Sequence, residues 1–417
     1  MAENKGKILV IGGGISGLTT ALEAAEVGYE VILVEKAPTL GGRVSRLYQY
    51  FPKLCPPQCG LEINYRRLRP NPFIQTLTSS EVESITGTAG KYQVKIKTKP
   101  TYVNEKCVLC DKCAEVCPAE RDNDFNYGLD KTKAIYIPHQ MAYPARYVLD
   151  KAACPSGCTK CLDACTYGAI DLEMQEKTTE FEVSSIVYAT GWKPYDIEKL
   201  ENLGAGKVQN VINNVTMERL AAANGPTAGK IIRPSDQKEI ETIAFVQCAG
   251  SRDEKHLPYC SAICCLASLK QANYVREAYP DAKIYIFYID IRTPGKYQDF
   301  ADKIQEDPNI VMVKGKVAKI TQGSEQSVVV EAEDILQGGK TNLEVDMVVL
   351  ATGMESSLAG AQIPGAVQTD DNGFVIPDQQ KNGVISAGVA KFPADVSSSI
   401  QDSTGAALKA IQTAVGG

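Results

Sequence analysis

The sequence predicts an α/β protein with two related domains built on parallel sheets and a cysteine-rich segment inserted into the first domain. Three observations predict this fold class. A βαβ pattern with a glycine-rich turn occupies residues 8–35. Two apolar strands, within 185–191 and 347–353, both end in Ala-Thr-Gly and form an internal repeat. Eight cysteines lie in two groups of four between residues 107 and 165.

Length and composition limit the class of protein. A chain of 417 residues has room for two or three domains. A net charge of −6 implies no basic face, so nucleic acid is not expected as a partner. No secretory signal pattern precedes the first strand, and no apolar run approaches the ~20 residues of a membrane span. We therefore expect a cytoplasmic protein, in which fourteen cysteines favour metal binding over disulfides.

The first βαβ unit carries a G-x-G-x-x-G turn formed by Gly12, Gly14 and Gly17. The pattern predicts strands at 8–11 and 30–34 around a helix at 18–27. The glycines allow a pyrophosphate to approach the helix N-terminus, where unpaired N–H groups face the anion. Glu35 ends the second strand and is expected to accept hydrogen bonds from an adenosine ribose. Together these features predict a dinucleotide site.

The following turn favours FAD over NAD as the dinucleotide. Leu40-Gly41-Gly42-Arg43 resembles the second pyrophosphate-side turn of flavoproteins that have two dinucleotide domains. The two Ala-Thr-Gly strands resemble the crossing points between the FAD domain and the second domain. We expect further cofactor contacts from Lys36, Gly42, Arg43, Ala189, Thr190, Gly191 and Gly353.

The C-terminal strand also resembles part of a flavin site. Residues 383–388 resemble the strand that brings a backbone against the flavin, so Gly388 and Val389 are expected to contact FAD. An Asp usually follows that Gly and binds the ribityl chain; Val389 stands there, and Asp395 is the candidate substitute. Lys391 is a further candidate contact. A helix at 403–415 is expected to aim its N-terminus at the isoalloxazine.

The cysteine-rich segment has the spacing of a module with two [4Fe-4S] clusters. The groups read C-x2-C-x2-C-x3-C-P and C-x3-C-x2-C-x3-C, with one gap a residue longer than usual. Three closely spaced thiolates wrap one cube, and the fourth reaches the other cube. Zinc does not need eight cysteines in two groups of four. Because the fourth cysteine of each group reaches the other cube, the predicted pairing is crossed. One cluster is bound by Cys107, Cys110, Cys113 and Cys165, and the other by Cys117, Cys154, Cys158 and Cys161.

The second domain keeps a strand at 243–247, a helix ending at Ala278 and a strand at 283–289. No G-x-G-x-x-G follows its first strand, so we expect that it does not bind NAD(P)H. Instead four thiols lie within eighteen residues: Cys248, Cys260, Cys264 and Cys265. Their spacing leaves open a third [4Fe-4S] cluster, a redox dithiol or buried free thiols.

These features predict five segments. The FAD-binding domain comprises 1–103, 176–235 and 344–417, the ferredoxin-like insertion 104–175, and the degenerate NAD-like domain 236–343. Cys55 and Cys59 remain unassigned, as a redox pair near the flavin or as loop cysteines. Neither His139 nor His256 lies in a recognisable motif, and no catalytic residue is predicted.

The second-domain motif resembles a known family, the A subunits of heterodisulfide reductase. The resemblance rests on residues 245–254, on Tyr259-Cys260-Ser261-x2-Cys264-Cys265, on Gly225-Pro226-Thr227 and on residues 287–292. It implies a thioredoxin-reductase-like FAD flavoprotein with a ferredoxin-like 2[4Fe-4S] insert. It also implies that the four cysteines of the second domain bind a cluster.

The chain is shorter than those subunits, and its compact form resembles the A subunit of the quinone-interacting membrane-bound oxidoreductases of sulfate-reducing organisms. That resemblance implies an oxidoreductase subunit that passes electrons between the quinone pool and the adenylylsulfate reductase system. The implied partners are a larger flavin and iron–sulfur homologue and a membrane haem subunit, which would place the chain at the inner face of the membrane. The alternatives are a non-enzymatic scaffold, an autonomous pyridine-nucleotide-dependent disulfide reductase and an electron-bifurcating heterodisulfide reductase A subunit.

Overall fold

A computed structural model describes residues 6–365, 367–377 and 382–416. The chain divides into two compact units, the first comprising 1–192 and 356–417 and the second 193–355. Each unit contains a five-stranded parallel sheet and a three-stranded antiparallel sheet. Within the described residues, every helix is too short or too polar to cross a membrane.

The helices and strands are numbered in chain order. Those that precede Trp192 are β1 (Lys7–Ile11), α1 (Ile15–Glu26), β2 (Glu30–Val34), α2 (Pro57–Leu68), β3 (Ile74–Leu77), β4 (Ser80–Thr88), β5 (Lys91–Thr98), α3 (Lys112–Glu115), β6 (Glu120–Asp122), β7 (Lys131–Lys133), β8 (Ile135–Tyr136), β9 (Val148–Leu149), α4 (Lys160–Ala164), β10 (Lys177–Val183) and β11 (Ser185–Tyr188). Those that follow are β12 (Trp192–Pro194), β13 (Val211–Asn213), α5 (Asn214–Ala221), β14 (Thr242–Ala249), α6 (Cys264–Ala278), β15 (Lys283–Tyr288), α7 (Tyr297–Gln305), β16 (Ile310–Lys314), β17 (Val317–Gln322), β18 (Val328–Asp334), β19 (Gly339–Val345), β20 (Met347–Thr352), β21 (Met354–Ser356), β22 (Val384–Ser386) and α8 (Val396–Gly416).

The first unit has three layers around its parallel sheet, whose order is β22-β11-β1-β2-β3. Side chains alternate along β1, so that Ile8 and Val10 face α1, α2 and α8 on one side. Leu9 faces the antiparallel sheet β10-β5-β4 on the other side. Both faces of β1 are therefore buried, as expected for a continuous apolar run in a parallel sheet. This packing fixes the carboxyl end of β1, where the glycine turn begins.

Several predicted elements of the first unit have different ends in the structure. The helix predicted from residue 18 begins at Ile15, directly after the glycine turn. The helix predicted from residue 403 begins at Val396, since the Asp395 carboxylate accepts a hydrogen bond from the Ser398 N–H at 2.6 Å and caps it. Two strands are separated at Ser184, since β10 pairs antiparallel with β5 and β11 pairs parallel with β1.

The second unit repeats this plan with a parallel sheet of order β13-β20-β14-β15-β16. The antiparallel sheet β17-β18-β19 packs on one face, with Val328 and Val330 in the shared core. The unit spans 193–355, whereas the sequence analysis places its limits at 236 and 343. The boundaries differ because β13 and β20, which the sequence analysis assigns to the FAD domain, pair with each other in the second sheet.

The insertion lies within the first unit and contains little regular structure. Its elements are two short helices, α3 and α4, and two short hairpins, β6-β7 and β8-β9. A small core of Val103, Ile135, Leu149 and Ile170 packs directly against the cysteines of both groups. So few apolar residues make a small core for a segment of this size, and bound cofactors are one means of stabilising such a segment.

Candidate cofactor sites

The two glycine turns of the first unit meet at the carboxyl end of β1. The Gly41 N–H donates to the Gly13 carbonyl at 2.9 Å, and Gly14 and Gly41 form an isolated parallel bridge. A Cβ atom on Gly42 would lie 2.9 Å from the Gly14 Cα. The turns that the sequence analysis singled out separately therefore form one cradle at the N-terminus of α1.

The glycines of this cradle serve different purposes. Gly12 has φ +111°, and a Cβ there would lie 2.3 Å from the Ala189 carbonyl oxygen. A Cβ on Gly17 would lie 1.7 Å from the Gly12 carbonyl oxygen, so both positions are needed for packing. Gly14 has an ordinary φ of −73°, and the nearest atom to an added Cβ is the Gly42 Cα at 3.8 Å. The protein itself leaves room at Gly14, which fits the close approach of a pyrophosphate.

Glu35 lies beside the cradle and is held by two backbone groups. Its carboxylate accepts hydrogen bonds from the Gly13 N–H at 2.6 Å and from the Ala37 N–H at 2.7 Å. Burial raises the pKa of Glu35 above its ordinary value, although these hydrogen bonds oppose the rise. Burial also raises the pKa of Tyr65, and the charge of Glu35 raises it further. The carboxylate keeps lone pairs that a ribose could use, as the sequence analysis expects.

Two buried hydroxyls at the carboxyl ends of β11 and β22 have no partner among the described residues. They belong to Thr190, which the sequence analysis names, and to Ser386, which it does not. Ser386 pairs with Tyr188 across the two parallel strands, two residues before Thr190. β11 ends at Tyr188, so Thr190 lies in the loop just beyond the strand that pairs with Ser386. Unpaired buried hydroxyls fit a polar ligand at this edge.

Gly388 packs against the first turn of α1. It has φ +58°, and a Cβ there would lie 2.0 Å from the Ser16 hydroxyl. Its N–H donates to the Asp402 carboxylate at 2.8 Å, and Lys391 donates to the same carboxylate at 2.5 Å. Val389 is buried beside it. The strand that resembles a flavin contact therefore reaches α1, but Lys391 is bound by Asp402, and Asp395, the candidate substitute, caps α8.

The remaining predicted FAD contacts lie in three different environments. The Arg43 Nε donates to the Trp192 carbonyl at 2.6 Å, and its guanidinium lies over the Trp192 ring. Lys36 is exposed and pairs with Glu81 at 3.5 Å. Gly353 belongs to the second unit, where a Cβ would lie 2.2 Å from the Ser251 hydroxyl. Gly191, with φ +66°, follows Thr190 in the first unit.

The cysteines of the insertion separate into the two crossed sets that the spacing predicts. One cavity is lined by cysteines of both sequence groups, namely Cys107, Cys110, Cys113 and Cys165. Tyr147 and Ile170 complete its apolar wall. Burial, followed by the charge of Cys107, raises the pKa of Cys113 to about 12. The cavity thus combines three cysteines of the first group with the last cysteine of the second.

The other four cysteines influence one another. Burial raises the pKa of Cys161, and three neighbouring thiols raise it further. Those thiols are Cys154, Cys117 and Cys158. Cys154 shows the same pattern, with burial first and then Cys158 and Cys117. Cys117, the last cysteine of the first group, therefore lies with the first three cysteines of the second.

Within the described residues, no three Cys, His, Asp or Glu side chains are arranged to hold a single metal ion. A tetrahedral zinc ion would need its thiolates about 2.3 Å from one centre. An iron–sulfur cube has iron at four corners and takes one thiolate at each, so a set of four cysteines could supply its ligands.

The second unit brings its four cysteines together at the start of α6. Burial raises the pKa of Cys264, and the charges of Cys265, Cys248 and Cys260 raise it further. The Cys264 thiol donates to the Thr352 carbonyl at 3.4 Å, and the Cys265 thiol to the Asp290 carbonyl at 3.8 Å. Arg252 pairs with the Asp290 carboxylate at 2.7 Å nearby. All four thiols therefore face one region at the carboxyl edge of the second sheet.

The unassigned residues lie in local contacts. Cys55 and Cys59 both raise the pKa of Tyr50, although burial is the larger cause. His139 stacks on Phe125, with ring centroids 4.7 Å apart. The His256 Nδ1 and the Tyr195 hydroxyl are 2.9 Å apart in the second unit. These contacts give the two histidines structural roles and leave Cys55 and Cys59 as a neighbouring pair of thiols.

The fold and the glycine cradle are those of FAD flavoproteins with two dinucleotide-type domains. Residues 7–53 match the family model described as FAD dependent oxidoreductase. The structure resembles the thioredoxin reductases of T. acidophilum and Lactococcus lactis, each with a TM-score of 0.53 and 14% identity. These comparisons cover 98% of both chains for the first and 99% of both for the second. At this identity the likeness concerns the fold alone.

Sequence comparison identifies the relatives of the whole chain. It is 38% identical, over 97% of its length, to the A subunit of the H(2):CoB-CoM heterodisulfide,ferredoxin reductase of Methanothermobacter thermautotrophicus. It is also 38% identical, again over 97% of its length, to an iron–sulfur A subunit of the CoB--CoM heterodisulfide reductase of Methanopyrus kandleri. The chain is thus a homologue of the heterodisulfide reductase A subunits, and it spans 63% and 64% of these two relatives.

Proposed function

We propose that this chain is an electron-transfer subunit that carries FAD in its first unit and iron–sulfur clusters on its three cysteine sets. The observation that carries the proposal is the combination of a glycine cradle with two crossed cysteine sets in one compact unit. Bound FAD would exchange electron pairs for single electrons, which iron–sulfur clusters carry. No residue of the chain is assigned a role as general acid or base.

Residues of the first unit have distinct roles toward FAD in this proposal. Gly14 leaves space for the pyrophosphate, Gly42 allows the second turn to pack against Gly14, and the N-terminus of α1 supplies N–H groups. Glu35, fixed by the Gly13 and Ala37 N–H groups, accepts hydrogen bonds from the ribose. Thr190, with its unpaired buried hydroxyl, orients the polar chain of the cofactor.

The cysteine sets are suited to a cationic cofactor. Crowded, buried thiols resist ionisation, as the pKa of about 12 for Cys113 indicates. A cluster core reverses that preference, because thiolates are stabilised by the positive charge of iron. The crossed sets would hold two [4Fe-4S] clusters, and the set at the start of α6 a third.

We further propose that the chain works in a complex of the heterodisulfide reductase type. Its homology to A subunits supports this assignment. Our specific proposal is the quinone-interacting type, in which adenylylsulfate reductase is the electron-exchange partner and the complex also contains a larger flavin and iron–sulfur homologue and a membrane haem subunit. The electron-bifurcating heterodisulfide reductase subunit is the main alternative.

Anaerobic reductive titration tests the electron-transfer proposal. Dithionite is expected to bleach the FAD absorbance and to produce electron paramagnetic resonance signals of reduced [4Fe-4S] clusters. A protein whose flavin is bleached without any such iron signal would contradict it. Mixing the reduced protein with oxidised adenylylsulfate reductase or with the CoB–CoM heterodisulfide then separates the two kinds of complex, since only the true acceptor system is expected to reoxidise it rapidly.

A further inference from the structure

The side chain of Gln247, the residue before Cys248 on β14, is buried, and its amide has no hydrogen-bond partner among the described residues. Gln247 is 6% exposed, and neither its Nε2 nor its Oε1 has a partner among the described residues. Leaving a buried donor or acceptor unpaired is unfavourable, because the group loses its hydrogen bonds to water. An amide with both groups unpaired at the end of a core strand therefore indicates a ligand that the protein chain does not supply.

A β-bulge interrupts β14 at this residue. Val246 pairs with Leu350 and Ala249 with Thr352, so Gln247 and Cys248 together oppose only Ala351. Cys248 has φ +55°, an uncommon left-handed conformation for a residue that is not glycine. Bulges redirect side chains at sites of function. The bulge ends the regular alternation of β14 at Gln247, where the cysteine set begins.

The other cysteines converge on the same place. The Cys264 thiol contacts the carbonyl of Thr352, the residue that pairs with Ala249 just beyond the bulge. Cys248 and Cys260 both raise the pKa of Cys264, so their sulfur atoms lie close by. α6, which begins at Cys264, packs against β14. Gln247 thus lies on the strand that supplies one thiol, and that strand packs against the helix that supplies two others.

We propose that the Gln247 Nε2 donates a hydrogen bond to a sulfur atom of the cluster bound by the second-unit cysteines and so tunes its potential. This inference rests on the third cluster of the proposed function. Hydrogen bonds to cluster sulfurs are one of the means by which a protein sets the reduction potential. An N–H donor stabilises the more electron-rich reduced state, so Gln247 makes this cluster easier to reduce. Gln247 is a positioning residue, because it acts through the cluster's sulfur.

Gln247→Met tests the proposal, because it keeps the length of the side chain and removes the donor. In a redox titration followed by electron paramagnetic resonance, the midpoint potential of the second-unit cluster is expected to become more negative. At the wild-type midpoint, the ratio of reduced to oxidised cluster should fall about fivefold, the factor for one hydrogen bond of about 1 kcal/mol. The insertion clusters provide an internal control, and their potentials should not change.

Gln271→Met is the matched control. Gln271 is also buried on the second unit, but its Nε2 already donates to the Asn214 carbonyl at 2.8 Å and to the Glu218 carboxylate at 2.7 Å. This variant is expected to lower stability and to leave the cluster potential unchanged. If the Gln247→Met protein loses its iron, Gln247→Asn is the second variant. Its side chain is one methylene shorter, which moves the N–H donor away from the cluster, so the potential should again become more negative.

The outcomes separate this inference from the proposed function. If the wild-type protein contains only the two insertion clusters, the second-unit cysteines bind no cluster, and both that part of the proposed function and this inference are wrong. A protein with all three clusters whose second-unit potential is the same in wild type and Gln247→Met overturns the inference alone. An equal shift in Gln271→Met overturns it too, because the effect would then come from destabilisation of the unit.

Discussion

The two units place different chemistry on the same turn of a shared skeleton. In the first unit the turn from β1 to α1 comprises only residues 12–14, and all three are glycine. In the second unit the turn from β14 to α6 runs from 250 to 263 and is bracketed by cysteines at 248 and 264. The sheet orders correspond strand for strand, with β1 and β14 at the centre of each. A βα turn at the carboxyl end of a parallel sheet can therefore present either N–H groups or thiols.

The difference shows which part of the site each scaffold supplies. Glycines remove side chains so that an anion reaches the helix N-terminus, and the site in the first unit consists mainly of backbone. In the second unit β14, the longer turn and α6 each supply cysteine side chains, so that site consists of sulfur atoms. The two sites also suit ligands of opposite charge. The glycine turn of the first unit suits an anionic phosphate, and the cysteine-bearing turn of the second unit suits cationic iron.

Removing a ligand from the Cys turn should have the largest effect. Cys264→Ser replaces a buried thiol and is expected to lower the iron content by about four atoms per chain, the content of one cube. FAD content should stay at the wild-type level. Metal analysis of anaerobically purified protein measures this change. Cys59→Ser, at an exposed cysteine outside the three sets, is the control and should retain all the iron.

Adding a side chain to the glycine turn of the first unit should weaken FAD binding and leave the iron content unchanged. Gly14→Ala adds a Cβ with no protein atom closer than 3.8 Å, so folding is expected to be unaffected. The methyl group would occupy the space of the pyrophosphate and should weaken FAD binding at least about tenfold, or ~1.4 kcal/mol. Titration with FAD, followed by flavin fluorescence, measures the affinity, and Gly405→Ala on exposed α8 is the control. Wild-type affinity in Gly14→Ala would show that the cofactor does not use this turn.

The acidic residue beside the Gly turn should make FAD binding depend on pH. Burial raises the pKa of Glu35, so in the FAD-free protein this carboxyl group stays protonated at pH values where an exposed glutamate is already ionised. Over that pH range the folded state binds more protons than the unfolded state, and this group's contribution to stability falls as pH rises. The ribose donates best to the ionised carboxylate, so FAD affinity should rise with pH until Glu35 is ionised.

Glu35→Gln is expected to remove this slope and to weaken FAD binding about tenfold, as expected for the loss of a hydrogen bond to a charged group. Glu62→Gln, at an exposed carboxylate paired with Arg66, should leave both the slope and the affinity unchanged. An unchanged slope in Glu35→Gln would mean that another group titrates on binding.

Pyridine nucleotides should have the smallest effect of all. The turn between β14 and α6 in the second unit has no glycine cradle. Neither NADH nor NADPH is therefore expected to bleach the flavin faster than buffer alone. Anaerobic stopped-flow mixing measures the flavin absorbance, with dithionite as the positive control. Rapid bleaching by either nucleotide would favour the autonomous disulfide reductase and would invalidate the distinction drawn between the two turns.

The local motifs of both turns could be predicted from the sequence because their chemistry is encoded in adjacent residues. The glycines at 12, 14 and 17 predict a phosphate turn when they are taken together with the flanking strands, the helix and Glu35, and the structure brings Gly41 against them. The crossed grouping of the insertion cysteines follows from the short reach of a thiolate. Within each motif most members of a site lie a few positions apart, whereas Gly41 and Cys165 join their sites from further along the chain.

Features that depend on distant pairing could not be predicted in the same way. Strand β13 has only three residues, Val211–Asn213, and its pairing with β20 moves the unit boundary. The bulge at Gln247 appears only when β14 is aligned with β20, since the apolar run itself reads as a regular strand. Ser386 is an ordinary residue in sequence, and only burial beside Tyr188 reveals an unpaired hydroxyl.

The metal content of the anaerobically purified protein tests the central claim most directly. Three cubes predict about twelve irons per chain, with an equal amount of acid-labile sulfide, beside one FAD. About eight irons per chain would mean that the two insertion clusters are present and that the cluster at the start of α6 is not. Zinc in place of iron, or a protein without bound metal whose cysteines are free or oxidised, would contradict the account.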